Sequence, residues 1–164
     1  MSQADFFLKL DGVDGESTDD KHTNEIEIMS FNFGANNTGT SSTGTGAGSG
    51  KVNIHDFHFV KIFDKASSNL FQRVANGEHI ATATLSCRKS TGTGGQQDFL
   101  IVKMSDVVIS SYTCGGSSGG SPIPSESISL NFTKIEFDYK PQKADGSLGA
   151  SVKGGWDTKT NKKV

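Results

Sequence analysis

Three short segments contain residue types that enzymes use for chemistry, and the first is a serine within a glycine-rich stretch. Residues 116–120 read Gly-Ser-Ser-Gly-Gly and match the letters of the G-x-S-x-G nucleophile elbow. That elbow needs a helix directly after it and a histidine later in the chain. All four histidines precede Ser118, and Pro122 and Pro124 follow it closely. We therefore expect no hydrolase site at this serine.

The other two segments suggest a phosphate site and a metal site. A glycine tract ends at Gly50-Lys51, but a phosphate-binding loop needs glycine at position 45 and Ser or Thr at position 52, where this chain has Thr and Val. His55 and His58 lie on a predicted strand, where their odd spacing sends the two imidazoles to opposite faces. We expect no catalytic, metal or cofactor site, and a structural or binding role rather than an enzyme.

The composition narrows the class of protein further. The 164 residues predict one domain, 1–164, and the 16 Lys and Arg against 18 Asp and Glu form no basic cluster that would bind nucleic acid. No apolar run reaches the roughly 20 residues that cross a membrane, so we expect no membrane span. The first residues lack the basic and apolar regions of a signal peptide, which predicts synthesis in the cytoplasm without processing. Cys87 and Cys114 are predicted to be free thiols.

Hydrophobic alternation with a period of two predicts a protein made mainly of β-strands. In residues 25–33, 52–63 and 128–139 the apolar side of the strand changes partway along. A one-residue slip reverses the buried face, so these changes predict bulges or bends that let one long strand serve two sheets or turn a barrel corner. Two separate strands joined by a short turn are the alternative. Further strands are predicted at 5–11, 80–89, 97–105 and 107–112.

One short helix is predicted after the segment 52–63. Ser67 or Ser68 could cap its first turn, and Asn76-Gly77 supplies a left-handed stop. The apolar stripe consists of Leu70, Phe71 and Val74. Two turns of helix are too short to be stable alone, so we expect this stripe to cover an apolar surface such as a barrel end.

Three glycine-rich polar segments are predicted to be long loops. They are residues 34–50, 90–96 and 115–125, and the first is longer than most loops that lack regular structure. We expect residues 34–50 to form a long flexible loop, and all three loops to become ordered against a partner.

Several motifs resemble the haemolysin-coregulated protein (Hcp) family, in the same order along nearly the whole chain. They include residues 5–10 with Gly-Glu-Ser at 15–17, the strand at 25–34, residues 57–63 with Asp-Lys-Ala-Ser at 64–67, and Leu-Asn-Phe at 130–132. The most specific are Tyr-Lys-Pro-Gln-x-x-Asp-Gly at 139–146 and Gly-Trp-Asp at 155–157. The motif residues in these last two segments are Tyr139, Pro141, Gln142, Asp145, Gly146, Gly155, Trp156 and Asp157.

This resemblance implies a fold and a function. The fold would be all-β with one short helix, a small closed β-barrel of two packed sheets similar to phage tail-tube proteins. Six copies would form a ring, and stacked rings would form the inner tube of a bacterial type VI secretion system. A contracting sheath would drive this tube and its spike into a target cell, so the protein would itself be secreted. The lumen would carry effector proteins, and no cofactor is implied.

The resemblance also suggests where the contacts lie. If Met29, Phe31 and Phe33 point into the barrel, then Ser30 and Asn32 face the lumen and its cargo. The predicted ring-stacking or subunit-contact residues are Gly39, Gly44, Gly48, Thr91, Gly94, Gly115 and Gly119. Two alternatives stay open: a phage-type tail tube protein, and a monomeric β-barrel that binds a small molecule in its interior.

Overall fold

The structure is a computed structural model, and it describes residues 4–37, 52–91 and 95–164. Within these ranges the chain forms twelve strands and one helix, which confirms the predicted β-rich fold with a single short helix. The elements are β1 (Asp5–Leu10), β2 (Ile26–Ile28), β3 (Ser30–Asn32), β4 (Ala35–Asn37), β5 (Val52–Ile54), β6 (Phe57–Ile62), α1 (Ser67–Asn76), β7 (Ile80–Thr91), β8 (Gly95–Gly115), β9 (Ser125–Asn131), β10 (Lys134–Tyr139), β11 (Val152–Asp157) and β12 (Lys162–Lys163).

Two sheets share the long strand β8. The first sheet has the order β12-β11-β10-β8-β7-β1-β2, and the second has the order β3-β6-β9-β8. As far as Val107, β8 pairs with β7, and from Val108 onward it pairs with β9. All neighbouring strands are antiparallel. A separate hairpin consists of β4 and β5.

Two of the three predicted changes of face, those at 25–33 and 128–139, occur where the chain passes from one sheet to the other. Strand β2 belongs to the first sheet and β3 to the second, and Met29 lies between them. The chain returns from β9 in the second sheet to β10 in the first across Phe132 and Thr133. Between β5 and β6 the chain leaves the hairpin and enters the second sheet. The segments 25–33 and 128–139 therefore serve two layers, each as two strands separated by one or two residues.

The strands do not close into a barrel by hydrogen bonding, contrary to the prediction. The path of paired strands runs from β2 through β1, β7, β8, β9 and β6 to β3. Its two ends, β2 and β3, follow each other along the chain and meet at Met29 rather than by pairing. The Met29 amide instead donates to the Val60 carbonyl oxygen at 2.7 Å, which fixes the corner.

The predicted strands at 97–105 and 107–112 are one strand of 21 residues, β8. Asp106 has a positive φ of 54° and a register shift follows between Ile109 and Ser111, so the backbone bends without ending the strand. Asp is one of the few residues other than glycine that tolerate this conformation. The bend explains why the sequence pattern breaks at a point where the strand continues.

The space between the two sheets is filled by packed apolar side chains. Phe57 and Phe59 of β6 are fully buried, and Phe31 of β3 stacks on Phe57 with ring centroids 5.8 Å apart. Leu8 of β1 and Leu85 of β7 are buried from the opposite layer. Because aromatic rings bury large areas, the phenylalanines of this layer contribute strongly to the hydrophobic stabilisation of the fold.

Helix α1 ends as predicted and begins differently. Gly77 has φ 69° and its amide donates to the Arg73 carbonyl oxygen, a left-handed stop. Leu70 is fully buried, but Phe71 is 57% exposed, so the predicted apolar stripe is only partly correct. The N-cap position is Ala66, and Ser67 makes no capping hydrogen bond. The hydroxyl of Ser67 is used elsewhere, in the buried cluster described below.

Candidate functional site

One face of the second sheet is built largely from small polar side chains. Strand β9 alternates strictly, because its residues 126, 128 and 130 are buried in the core while the intervening positions face away. The side chains on the outer side of β9 are Ser125, Ser127, Ser129 and Asn131.

The register of the strands extends this surface across the whole sheet. Residues that are directly paired on antiparallel strands share a face, so each row of partners lies on one side. One row runs Ser30, Val60, Ser127, Thr113 and the next runs Asn32, His58, Ser129, Ser111. We call this surface the polar face, defined by Ser30, Asn32, His58, Val60, Ser111, Thr113, Ser125, Ser127, Ser129 and Asn131.

The structure places both predicted lumen-facing residues on this polar face. Ser30 and Asn32 are exposed, and Phe31 between them packs against the core, as the alternation predicts. The expectation for Met29 is wrong: its side chain is 61% exposed because the residue lies at the corner between sheets. The sequence analysis missed the contributions of β8 and β9. A serine at every second position of β9 was the available signal.

The chemistry of the polar face is hydrogen bonding. His58 Nδ1 and Ser129 Oγ lie 3.0 Å apart and share a hydrogen bond. Beyond the His58 row, the Asp56 carboxylate accepts hydrogen bonds from Ser110 Oγ at 2.6 Å and from Asn131 Nδ2 at 2.9 Å. The face thus offers hydroxyl and amide groups, which both donate and accept, to any surface that lies against it.

A buried cluster of charges lies beneath the polar face, on the core side of the same strands. Lys61 of β6 and Glu126 of β9 are fully buried, with Lys61 Nζ 2.6 Å from Glu126 Oε1. Lys61 also donates to Asp64 Oδ1 at 2.8 Å, and Ser67 Oγ donates to Glu126 Oε1 at 2.6 Å. The Tyr112 hydroxyl donates to the other Glu126 oxygen. Burial, together with this hydrogen bond, raises the pKa of Tyr112 above its ordinary value.

This cluster explains why the helix cap was predicted wrongly. The Ser67 hydroxyl donates a hydrogen bond to Glu126 and accepts one from the Asp64 amide at 2.9 Å, while the Asp64 carboxylate accepts the Ala66 amide at 2.9 Å. The cluster therefore joins the start of α1 to β6 and β9. The sequence contained a signal for it, since Lys61 and Glu126 occupy core positions in otherwise apolar alternations.

A second charged cluster fixes the acidic connection between β1 and β2. The Arg88 guanidinium donates to both oxygens of Asp19, at 2.8 and 2.5 Å, and lies 4.8 Å from the centre of the Phe7 ring. His22 stacks on Phe7 at 4.5 Å and contacts Glu25 Oε2 at 2.9 Å. The hydrogen bond from Arg88 holds the pKa of Asp19 well below its usual range.

The Tyr139 to Gly146 part of the family motif builds a turn after β10. Tyr139 ends β10, and Gln142 Nε2 donates to the Gly146 carbonyl oxygen at 3.2 Å. Asp145 Oδ1 accepts the Ser147 hydroxyl and amide, and these bonds hold the pKa of Asp145 below its usual range. Gly146 has φ 89°, which favours glycine. Pro141 accepts the Gly149 amide on its carbonyl oxygen at 2.7 Å, closing the turn.

The Gly155-Trp156-Asp157 element forms β11 and its exit. A Cβ atom at Gly155 would lie 2.5 Å from the Ile135 carbonyl oxygen, so only glycine fits this close approach to β10. Trp156 pairs with Ile135, and Asp157 Oδ1 accepts the Lys159 and Thr160 amides in the following turn. The motif residues therefore have structural roles in this part of the chain.

The predicted ring-stacking or subunit-contact residues lie partly within the described ranges. Gly39, Gly44, Gly48 and Gly94 lie outside the described residues. Thr91 is not in a loop: it ends β7, is buried, and its hydroxyl donates to the Gly95 carbonyl oxygen at 2.9 Å. Gly115 likewise ends β8. Gly119 does lie on an exposed turn between β8 and β9.

Both cysteines are free thiols, as predicted; Cys87 is buried and Cys114 is exposed. Over residues 4–37, 52–91 and 95–164, no cluster of three or more metal-ligating side chains is found. Within the same residues, no helix has the length and apolar character that a membrane-crossing helix needs.

The fold and the site define a small two-sheet β protein whose most distinctive surface is an open polar sheet face. The family profile described as "Type VI secretion system effector, Hcp" matches residues 7–139, and the chain belongs to this Hcp family. It is 44% identical to Protein hcp1 of Pseudomonas aeruginosa over 158 residues, 96% of each chain.

Solved structures agree with the sequence comparison. A structure titled as a type six secretion system protein superposes with a TM-score of 0.91 at 37% identity and covers 99% of this chain and 100% of its own. Hcp1 from Salmonella typhimurium superposes with a TM-score of 0.81 at 34% identity and covers 98% and 99%. The predicted family and the β-rich, two-sheet fold are therefore confirmed.

Proposed function

We propose that this chain is the structural unit of the inner tube of a type VI secretion system. Six copies form a ring, rings stack into a tube, and contraction of a sheath expels the tube and its spike into a target cell. The protein is then itself secreted through this system, and the lumen of each ring carries effector proteins. Membership of the Hcp family supports the secretion context.

The polar face is the observation that carries this proposal. The second sheet buries one side against the core, and on its other side hydroxyl and amide groups predominate, with Val60 and Ile62 as apolar members of the same rows. Its outer strands, β3 and the Val108–Gly115 part of β8, are each paired on one side only within the described residues. Exposed strand edges favour pairing with another chain. Joining copies edge to edge around a closed ring satisfies both edges.

In such a ring the polar faces of six copies form one continuous inner wall. Its hydroxyl and amide groups hydrogen-bond many different protein surfaces without demanding a particular charge. A single contact of this kind is weak, but six copies of each row present it repeatedly, so the combined retention of a cargo protein is strong. Weak individual contacts also let the cargo leave once the ring separates.

The interior of the subunit argues against a ligand-binding barrel. Phe57, Phe59, Ile128 and Leu130 are fully buried between the sheets and occupy the space where an interior ligand would lie. A phage-type tail tube would share the ring geometry, but the family match favours the secretion system.

Light scattering during size-exclusion chromatography tests the ring. Purified protein should elute as a particle of six times 17.4 kDa. A monomer at micromolar concentration would refute the proposal.

Cargo retention tests the lumen. Asn32→Arg should leave the ring mass unchanged and reduce the amount of an effector that co-purifies with the wild-type ring, because it inserts six long cations into the wall. Asn53→Arg is the matched control, since Asn53 is exposed on β5, which does not belong to the sheet that carries the polar face. Equal retention by both variants would contradict the assignment of Asn32.

A further inference from the structure

We propose that the two end strands of the first sheet are complementary docking surfaces between neighbouring copies, one acidic and one basic. The acidic edge consists of Asp5, Glu16 and Glu27 beside β2. The basic edge consists of Lys153, Lys162 and Lys163 on β11 and β12. This inference rests on the proposed ring and assigns the charged contact that orders its subunits head to tail.

The strand order places these surfaces at opposite ends of one sheet. β2 and β12 are its end strands, and each pairs with a single neighbour within the described residues. β12 pairs with β11 at Trp156 and Asp157, and the Val164 amide donates to the Gly155 carbonyl oxygen at 3.2 Å. Over the residues that the structure describes, the outer side of β11 before Gly155 has no partner strand. The β11 end of the sheet therefore presents backbone groups that a second chain can pair with. At the other end, the amides of Gly15 and Ser17 donate to the Asn24 and Glu25 carbonyl oxygens just before β2, so this edge offers side-chain charge rather than a free backbone.

At the acidic edge, Glu16 and Glu27 have no positively charged partner among the described residues. A surface groove of about 390 Å³ is lined by Asp5, Asp19, Glu27 and Arg88. Arg88 pairs closely with Asp19 and lies 3.8 Å from Asp5, so its single positive charge is already shared between two carboxylates. Glu16 and Glu27 are exposed and have no salt bridge within the described residues.

The basic edge is the counterpart. Lys153, Lys162 and Lys163 are exposed, and none lies within 4.0 Å of a described carboxylate. Exposed apolar groups accompany the charges at both edges: Val152 is 62% exposed at the basic edge and Met29 is 61% exposed at the acidic edge. A contact between the two edges would bury both.

Negative and positive charges are concentrated in different parts of the chain, although their total numbers are nearly equal. Residues 5–27 contain eight Asp and Glu against two Lys, and residues 140–164 contain six Lys against two Asp, while the whole chain has a net charge of only -2. A second copy of the chain therefore offers each edge a surface of the opposite charge. Opposite patches on one molecule make a heterologous contact, which closes into a ring when the rotation allows. Like edges repel, which prevents the reverse orientation.

Charge reversal tests the contact. One variant combines Glu16→Lys with Glu27→Lys, a second combines Lys162→Glu with Lys163→Glu, and a third has all four changes and so keeps the native net charge. Lys65→Glu, at an exposed lysine before α1, is the control. Ring mass is measured by light scattering over a range of protein concentrations, at about 0.1 M and about 1 M salt, where the Debye length falls from about 10 Å to about 3 Å.

Each double variant should raise the concentration at which rings dissociate by about tenfold or more, the size expected when like charges face each other. The four-fold variant and Lys65→Glu should stay within about threefold of the wild type, and high salt should weaken wild-type rings. Rings of unchanged stability in both double variants would overturn the inference and leave the proposed function standing. A failure of the four-fold variant to recover, although its subunit is folded by circular dichroism, would also overturn it. A wild-type monomer would instead refute the ring itself.

Discussion

Removing the buried positive charge of Lys61 should strongly destabilise the subunit. Lys61 Nζ contacts Glu126, Asp64 and Ser67, and neither Lys61 nor Glu126 has any exposed side-chain surface. Lys61→Met keeps the length and apolar stem of the side chain but leaves the Glu126 carboxylate buried with only two neutral donors. The loss therefore measures an uncompensated buried charge rather than a cavity.

The expected loss of unfolding free energy follows from the complete burial of the Lys61–Glu126 ion pair. Breaking a buried ion pair from one side costs about 3–5 kcal/mol, against a total stability of about 5–15 kcal/mol for a domain. For a chain of this size each kcal/mol lowers Tm by roughly 2–4 °C, so the expected fall is roughly 6–20 °C. Glu126→Gln in the Lys61→Met background should recover part of this loss, because it removes the unpaired charge.

Urea unfolding at one fixed protein concentration provides the measurement, since assembly would otherwise change the apparent stability. Lys65→Met is the control: this lysine is exposed four residues later and should change the free energy of unfolding by no more than about 0.5 kcal/mol. A loss below about 1 kcal/mol for Lys61→Met, or a double variant that loses as much as the two single variants added together, would refute the reasoning.

Three further predictions follow from the packing. Gly155→Ala should destabilise the subunit by about 1–3 kcal/mol in urea unfolding, because the new Cβ would meet the β10 backbone. Gly154→Ala is the control, since a Cβ there has open space and should not destabilise the subunit. Equal effects of the two variants would contradict the close approach. A thiol reagent at pH 8 should modify the exposed Cys114 rapidly and the buried Cys87 only on unfolding. The reason is that burial raises the pKa of Cys87 to about 12. Rapid labelling of both thiols in the folded protein would contradict this prediction. Asp19 has a lowered pKa in the folded state, so it stabilises the fold above pH about 4 and loses this effect progressively as the pH falls from that value towards the lowered folded-state pKa. Asp19→Asn should therefore be less stable than the wild type at pH 7, by a difference that shrinks steadily as the pH is lowered from about 4 to about 2. A pH-independent difference would count against the ion pair.

The family and the layered fold could be predicted from the sequence because both depend on short-range patterns. The face change at residues 25–33 is visible in the order of apolar residues, and the structure places a sheet-to-sheet corner there. The Asn76-Gly77 stop of α1 is similarly local. Ser30 and Asn32 could be assigned to an outer face from the alternation alone, and they are exposed on it.

The sequence-based predictions of local structure were wrong where residues distant in sequence determine that structure. Ser67 has the residue type of a helix cap, but its hydroxyl donates a hydrogen bond to Glu126, 59 positions away in sequence. Asp106 bends β8 without ending it, because β7 and β10 on either side hold the strand before it. The polar face as a whole also required the register of four strands, which the sequence does not state.

The most direct test of the central claim is an electron cryo-microscopy reconstruction of the purified full chain. The proposal predicts a six-fold ring in which the Ser30, Asn32 and Ser129 side chains of every copy line the central opening. A ring whose polar face points outward, or particles that are single subunits, would contradict it.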